Sequence, residues 1–284
     1  MRAADWLIVA ALSLAVACAD SPSESTTTAE IISINRIGLN RIGLNRIGLN
    51  RIGLNRIGLN RISAGRLRVN LSADDELLAT DDGREVCSLA VNCALDGDTT
   101  LVATVDGTDF EFPGEMGLAP RWVNHTLDRE GQGWVSACMF ARANAHEVAI
   151  PISLRGDNKG LATDKDEREA FPVEEGAFYG NIFGPTDQPI PWYACRGEGQ
   201  FSGEFGGLLD RDCTEPDPAN PGFTQCGLIF AGDCGDFAAD TACEKFVAHG
   251  QFYRRCHAAP IPHGHNCAHD HDVFREVITT FVTP

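Results

Sequence analysis

Apolar and polar positions recur on three different periods along this chain, and each period predicts a different kind of element. A largely apolar run, interrupted only by Ser13, extends from Trp6 to Ala17 behind Arg2 and closes in Ala15-Val16-Ala17-Cys18. Roughly twelve apolar residues are too few for a bilayer that needs about twenty. They suit the hydrophobic region of an export signal ended by small residues. From Ile37 to Arg61 the period becomes five: Ile-Gly-Leu-Asn-Arg recurs five times, after a degenerate Ile32-Ser33-Ile34-Asn35-Arg36. Five residues turn a helix by about 140° beyond a full revolution, which smears the isoleucines around the axis. An odd period also sends successive units to opposite faces of a flat strand.

Beyond the repeat, helical and strand periods alternate. Ser72 followed by Asp74, Asp75 and Glu76 reads as a helix start. Helical spacing resumes after Gly83 at Val86, Leu89, Ala90 and Cys93. Thr100–Val105 and Thr108–Phe112 flank Asp106-Gly107, a strong two-residue hairpin signal. Trp134, Ala137, Cys138, Ala141 and Ala145 predict a second helix with a buried face, over about 133–146. A strand follows at Val148–Leu154, then a polar loop or short helix at Asp157–Glu169. Past Phe171 the signals are short strands, such as Phe178–Phe183 and Pro191–Arg196, punctuated by Gly and Pro. The predicted fold class is α+β, helical in its first part and β-rich, loop-rich and disulfide-braced afterwards. The predicted boundaries are a signal peptide at 1–17, a polar tether at 18–31, the five-residue repeat at 32–72 and a cysteine-rich domain at 73–284.

Charge divides at the same place. Residues 1–72 carry nine Lys and Arg against four Asp and Glu, and the rest carry 14 against 36, a balance of −22. So acidic a body excludes nucleic acid as a partner, since that requires clustered cations to displace counterions. About 210 residues are enough to bury one substantial core.

Cysteine usage follows from export. Of 11 cysteines, one is Cys18 and the others are Cys87, Cys93, Cys138, Cys195, Cys213, Cys226, Cys234, Cys243, Cys256 and Cys267. Ten is an even number that closes five disulfides in an oxidising compartment. Cys87 and Cys93 on one helix would have Cα atoms about 9 Å apart, beyond disulfide reach, so each must find a distant partner. Ala15-Val16-Ala17-Cys18 resembles a bacterial lipobox, in which the cysteine receives lipid, with Ala15 where lipoproteins usually carry leucine. The resemblance implies a lipid anchor at Cys18 and a cell-envelope address, at the outer membrane or cell surface. The alternative is a freely secreted protein. The Ser- and Thr-rich stretch to Thr28 suits a tether.

Three further resemblances bear on function. The repeat is similar to pentapeptide-repeat proteins, which imply a square β-solenoid. Six units make only about one and a half coils, so the array is either a stub docked on the next domain or an extended spacer; we favour the spacer. With Gly117-Leu118-Ala119-Pro120 and Trp134-Val135-Ser136-Ala137-Cys138, the chain resembles a group of uncharacterised exported bacterial proteins, a likeness that implies no activity. Gln132, Gly133, Ala137 and Cys138 are similar to the nucleophile region of papain-like thiol proteases, where a Gln serves the oxyanion six residues before the nucleophile. That implies Cys138 as nucleophile, Gln132 at the oxyanion, and His249 with Asn266 by position. The competing reading is that Cys138 is half of a disulfide, with Cys93 as a candidate partner, and we favour it.

Two clusters complete the candidate chemistry. His263, His265, His269 and His271 alternate around Asn266, Cys267, Asp270 and Asp272, and imidazoles so gathered would hold Zn²⁺ or Cu²⁺. Loop histidines facing solvent are the simpler reading, and no cofactor is predicted. Asp164, Asp166 and Glu167, and Asp210, Asp212, Glu215 and Asp217, lack the glycine-centred pattern of an EF-hand. The function these features imply is a lipid-anchored, non-catalytic module that binds a protein or glycan. A thiol hydrolase and an extracytoplasmic metal-binding protein are the alternatives.

Overall fold

Helix α1 (Asp81–Ala94) starts where Thr80 accepts a hydrogen bond from Gly83 N and two acids occupy its positive end. The computed structural model describes residues 47–50, 78–143, 150–183, 191–201, 213–235, 243–246, 252–259 and 273–284. All belong to one unit, Ile31–Pro284. The Ser72–Glu76 helix start lies outside the described residues. Val86, Leu89, Ala90 and Cys93 form the buried face of α1, as their spacing requires.

Strands β2 (Thr100–Val105) and β3 (Thr108–Pro113) form the expected hairpin. Asp106 and Gly107 both have positive φ, at 50° and 78°, as a tight primed turn demands. Leu101, Ala103 and Val105 point inward and alternate with exposed residues. A 3₁₀ turn at Pro120–Val123 leads to helix α2 (Arg129–Ala141), capped by Asp128, whose carboxylate accepts from Gly131 N. The helix begins four residues before the expected Gly133 and ends at Ala141 rather than near His146.

The main sheet has six strands in the order β1-β4-β11-β5-β6-β7. They are β1 (Ile47–Asn50), β4 (Ile150–Arg155), β5 (Val173–Gly180), β6 (Trp192–Arg196), β7 (Ile229–Asp233) and β11 (Val277–Val282). Neighbours are antiparallel except β6 and β7. The carboxy-terminal strand thus threads the middle of the sheet, and β5 and β11 are buried along their whole length. Helix α2 packs on both of them. A 3₁₀ turn (Lys159–Leu161) and helix α3 (Lys165–Ala170) connect β4 to β5, and a short helix α4 (Glu198–Phe201) follows β6. A smaller sheet, ordered β10-β9-β8, is built from β8 (Cys243–Phe246), β9 (Phe252–His257) and β10 (Val273–Phe274).

Four disulfides brace this α+β module: Cys93–Cys138, Cys195–Cys234, Cys213–Cys226 and Cys243–Cys256. The first joins α1 to α2. Three lie in the β-rich remainder, and each typically adds about 2–4 kcal/mol by restricting the unfolded chain.

Buried polar groups lock the layers. Arg155 stacks 3.6 Å from the Phe281 ring centre and donates to Phe171 O and Ser153 Oγ. Ser153 in turn donates to Glu167. Burial lowers the Arg155 pKa to about 10, against the opposing pull of Glu167, so it remains a cation at neutral pH.

Candidate binding cleft

The first turns of α2 divide two adjacent clefts. Glu130 and Trp134, one helical turn apart, line both. One cleft, about 380 Å³, lies against Leu118–Trp122 and His125–Asp128. The other, about 520 Å³, is walled by Asp157, by Glu244 of β8, by Arg254 and Arg255 of β9, and by Arg275 and Glu276 ahead of β11.

A pairing irregularity creates the arginine wall of the larger cleft. Glu244 is opposite Arg255 and Lys245 is opposite Tyr253, so Arg254 is an extra residue on β9. Such a bulge disturbs the strict alternation of faces along a strand. Both guanidiniums consequently reach one carboxylate. Arg254 Nη2 donates to Glu244 Oε1 at 3.0 Å, and Arg255 Nε lies 2.6 Å from Oε2. The second contact is an ion pair without hydrogen-bond geometry, because that buried Nε finds no hydrogen-bond acceptor. The hydrogen bond from Arg254 holds the Glu244 carboxyl below the usual range.

Glu130 and Glu276 add carboxylates to the same cleft. Gly133 lets Glu276 press onto α2: a Cβ at position 133 would sit 2.8 Å from Glu276 Cγ and 2.9 Å from its Cβ. Burial raises the Glu276 pKa, and nearby Glu130 adds to the rise, while backbone N–H groups and Arg129 oppose it. The cleft therefore offers guanidinium donors and carboxylate acceptors together. That is the equipment for orienting a hydroxyl- and amide-bearing ligand. Among the described residues its lining includes no Cys, Ser or His, and its carboxylates are the groups able to act as base or nucleophile.

Of the catalytic residues proposed from sequence, the described ones, Gln132 and Cys138, do not line this cleft. Cys138 is bonded to Cys93, so its sulfur has no thiolate to offer. Gln132 is engaged in local structure, donating to Leu127 O and accepting from Asn181 Nδ2. His249, Asn266, Cys267 and the histidines at 263, 265, 269 and 271 lie outside the described residues, as does Cys18. Cys87 is buried on α1.

Four of the acidic loop residues have structural work of their own, and Asp210 and Asp212 lie outside the described residues. Asp164 caps α3, Glu167 accepts from Ser153, Glu215 faces Arg196 at 3.8 Å, and Asp217 accepts from Ala219 N. Among the described residues, Cys195, Cys234 and Cys243 bring three sulfurs within 4.8 Å of one another. All three belong to disulfides, and zinc binding would require reducing them to thiolates.

The bulged arginine pair could not be read from sequence, because it depends on cross-strand register. The one available signal was Arg254-Arg255 itself, two adjacent cations in a strongly acidic body. No family model, no curated protein and no solved structure matches the chain. Its class is thus set by its own construction, a disulfide-rich α+β module. Among the described residues no helix is long and apolar enough to cross a membrane.

Proposed function

We propose that this is an exported cell-envelope protein, lipid-anchored through Cys18, whose disulfide-rich module binds a protein or glycan partner without catalysis. The observation that carries the reading is the set of four disulfides, which use eight of the ten cysteines after Cys18. Disulfides of that density belong to oxidising compartments. They agree with the export signal at 1–17 and with a lipobox-like sequence that ends in a cysteine.

The binding half of the proposal rests on the larger cleft. Its guanidinium donors and carboxylate acceptors suit a polar ligand. The polar stretch from 18 to 31 and the repeat would hold the module away from the membrane.

The deciding experiment is peptide mapping of native protein alkylated without reductant, together with the mass of the Cys18 peptide. A diacylated or triacylated Cys18 and the four pairs above support the reading. An alkylated Cys138 would overturn it in favour of a thiol hydrolase. An unmodified Cys18 would make the protein a secreted one and leave the module as described.

A further inference from the structure

Strand β1 is one copy of a sequence that the chain contains five times. Its four residues, Ile47-Gly48-Leu49-Asn50, are the middle unit of the array, with two identical units before them and two after. β1 lies on the outer edge of β4, with Ile47 opposite Ser153, Gly48 opposite Ile152, Leu49 opposite Pro151 and Asn50 opposite Ile150. Pro151 marks β4 as an edge-type strand, because proline brings no N–H and is normally excluded from sheet interiors. β1 is thus an addition to an edge.

We infer that the outer edge of β4 is a binding slot for the Ile-Gly-Leu-Asn unit, and that any of the five units of the same chain fills it. The first argument is register. A slip of one to four residues would place different side chains opposite Ser153, whereas a slip of five restores Ile opposite Ser153 and Asn opposite Ile150. The slot therefore discriminates against small slips and not against a change of unit.

The second argument is the odd period. Two successive units cannot present the same faces within one flat strand, so only one unit is accommodated at a time.

The third argument is chain entropy. With β1 seated, 27 residues separate Asn50 from Leu78; with the first or last unit seated instead, 37 or 17 residues would separate its Asn from Leu78. Closure entropy grows only with the logarithm of loop length, so the five registers differ in population by no more than about threefold on this account. Each step of one unit shifts about 17 Å of extended chain from one side of the slot to the other. The consequence is a connection of adjustable length between the module and whatever holds the amino-terminal segment. The slot itself does not depend on Cys18 being lipidated.

The test is hydrogen exchange across residues 150–153 in the full chain and two variants. In Gly48→Pro, protection is expected to stay within about twofold of the parent, because a neighbouring unit takes the slot. In the variant with proline at Gly38, Gly43, Gly48, Gly53 and Gly58 together, protection is expected to fall at least tenfold. Exchange in α2 and β5 reports whether that variant has kept its fold. A synthetic Ile-Gly-Leu-Asn-Arg-Ile-Gly-Leu-Asn peptide added to it should restore protection at 150–153. Loss of protection in Gly48→Pro alone would show one fixed register and overturn the inference. So would full protection in the five-proline variant. Protection that rises with protein concentration alongside dimers in light scattering would assign the slot to a second copy, and overturn filling by the same chain.

Discussion

Tyr253 donates a 2.8 Å hydrogen bond to Glu174, and that bond joins the small sheet to the centre of the large one. Glu174 is buried on β5 and also meets Lys245 at 3.0 Å, while Lys245 reaches Glu198 at 2.8 Å. Burial pulls the Lys245 pKa down, but its hydrogen bonds to Glu198 and Glu174 outweigh it and the net shift is upward. Burial, with Glu174 beside it, pushes the Tyr253 phenol up, so its hydroxyl stays a donor at every ordinary pH. Removing that hydroxyl leaves a buried carboxylate one donor short. Tyr253→Phe is expected to cost about 1–3 kcal/mol in urea unfolding, with little change in secondary structure. An unchanged midpoint would mean that the Tyr253 hydroxyl adds nothing to the junction beyond the Lys245–Glu174 ion pair and packing.

The disulfides should rank by the chain they enclose. Cys93 and Cys138 are 45 residues apart, and Cys213 and Cys226 are 13 apart. Loop-closure entropy assigns about 4 kcal/mol to the first and about 3 kcal/mol to the second. Replacing each pair by alanines should therefore destabilise the 93–138 variant by roughly 1 kcal/mol more, measured by urea unfolding of non-reduced protein. The reverse order would show that local packing around the bridges outweighs their effect on the unfolded chain.

What was legible in the sequence had local causes. Asp106-Gly107 specifies its hairpin because both residues must take positive φ, and few other pairs do so readily. The body of α2 showed in the spacing of Trp134, Ala137, Cys138 and Ala141. Its beginning did not, because Gly131 and Gly133 discourage a helix locally. Both glycines answer to tertiary neighbours, Leu127 and Ala119 in one case and Glu276 in the other. Strand β11 has no alternation to detect because both its faces are buried. Glu174 and Glu175 make β5 look half-exposed, yet Tyr253 and Thr280 satisfy them inside. Disulfide partners and the Arg254 bulge depend on contacts between distant segments, which no spacing encodes.

Gly133 offers a test in which packing and propensity have opposite signs. On helix propensity alone, Gly133→Ala should stabilise α2 by roughly 1 kcal/mol. The added methyl group would meet Glu276 Cγ and Cβ at 2.8 and 2.9 Å, atoms near the backbone that cannot swing away freely. We expect net destabilisation of about 1–3 kcal/mol. Gly133→Ala combined with Glu276→Ala should recover part of that loss, because the Cγ contact is removed while the Cβ contact stays, read as a coupling in a double-mutant cycle. A more stable single variant would show that Glu276 yields easily and that the cleft wall is soft.

Glu276 also gives the larger cleft a pH signature. Its folded-state pKa is raised, chiefly by burial, so the folded protein holds this proton more tightly than the unfolded chain does. For such a carboxyl, the stabilising effect is fully present below its unfolded pKa. It fades as pH rises through the unfolded and then the folded value, and above both the buried charge is a standing cost. Glu276→Gln removes the charge and keeps an acceptor for the neighbouring backbone N–H groups. Its melting temperature should therefore exceed the parent's at about pH 7, and the gap should close as pH falls below the ordinary carboxylate range. Thermal melts of both proteins between about pH 3 and pH 7 would measure that gap. A gap that stayed constant would mean that Glu276 titrates alike in folded and unfolded chains.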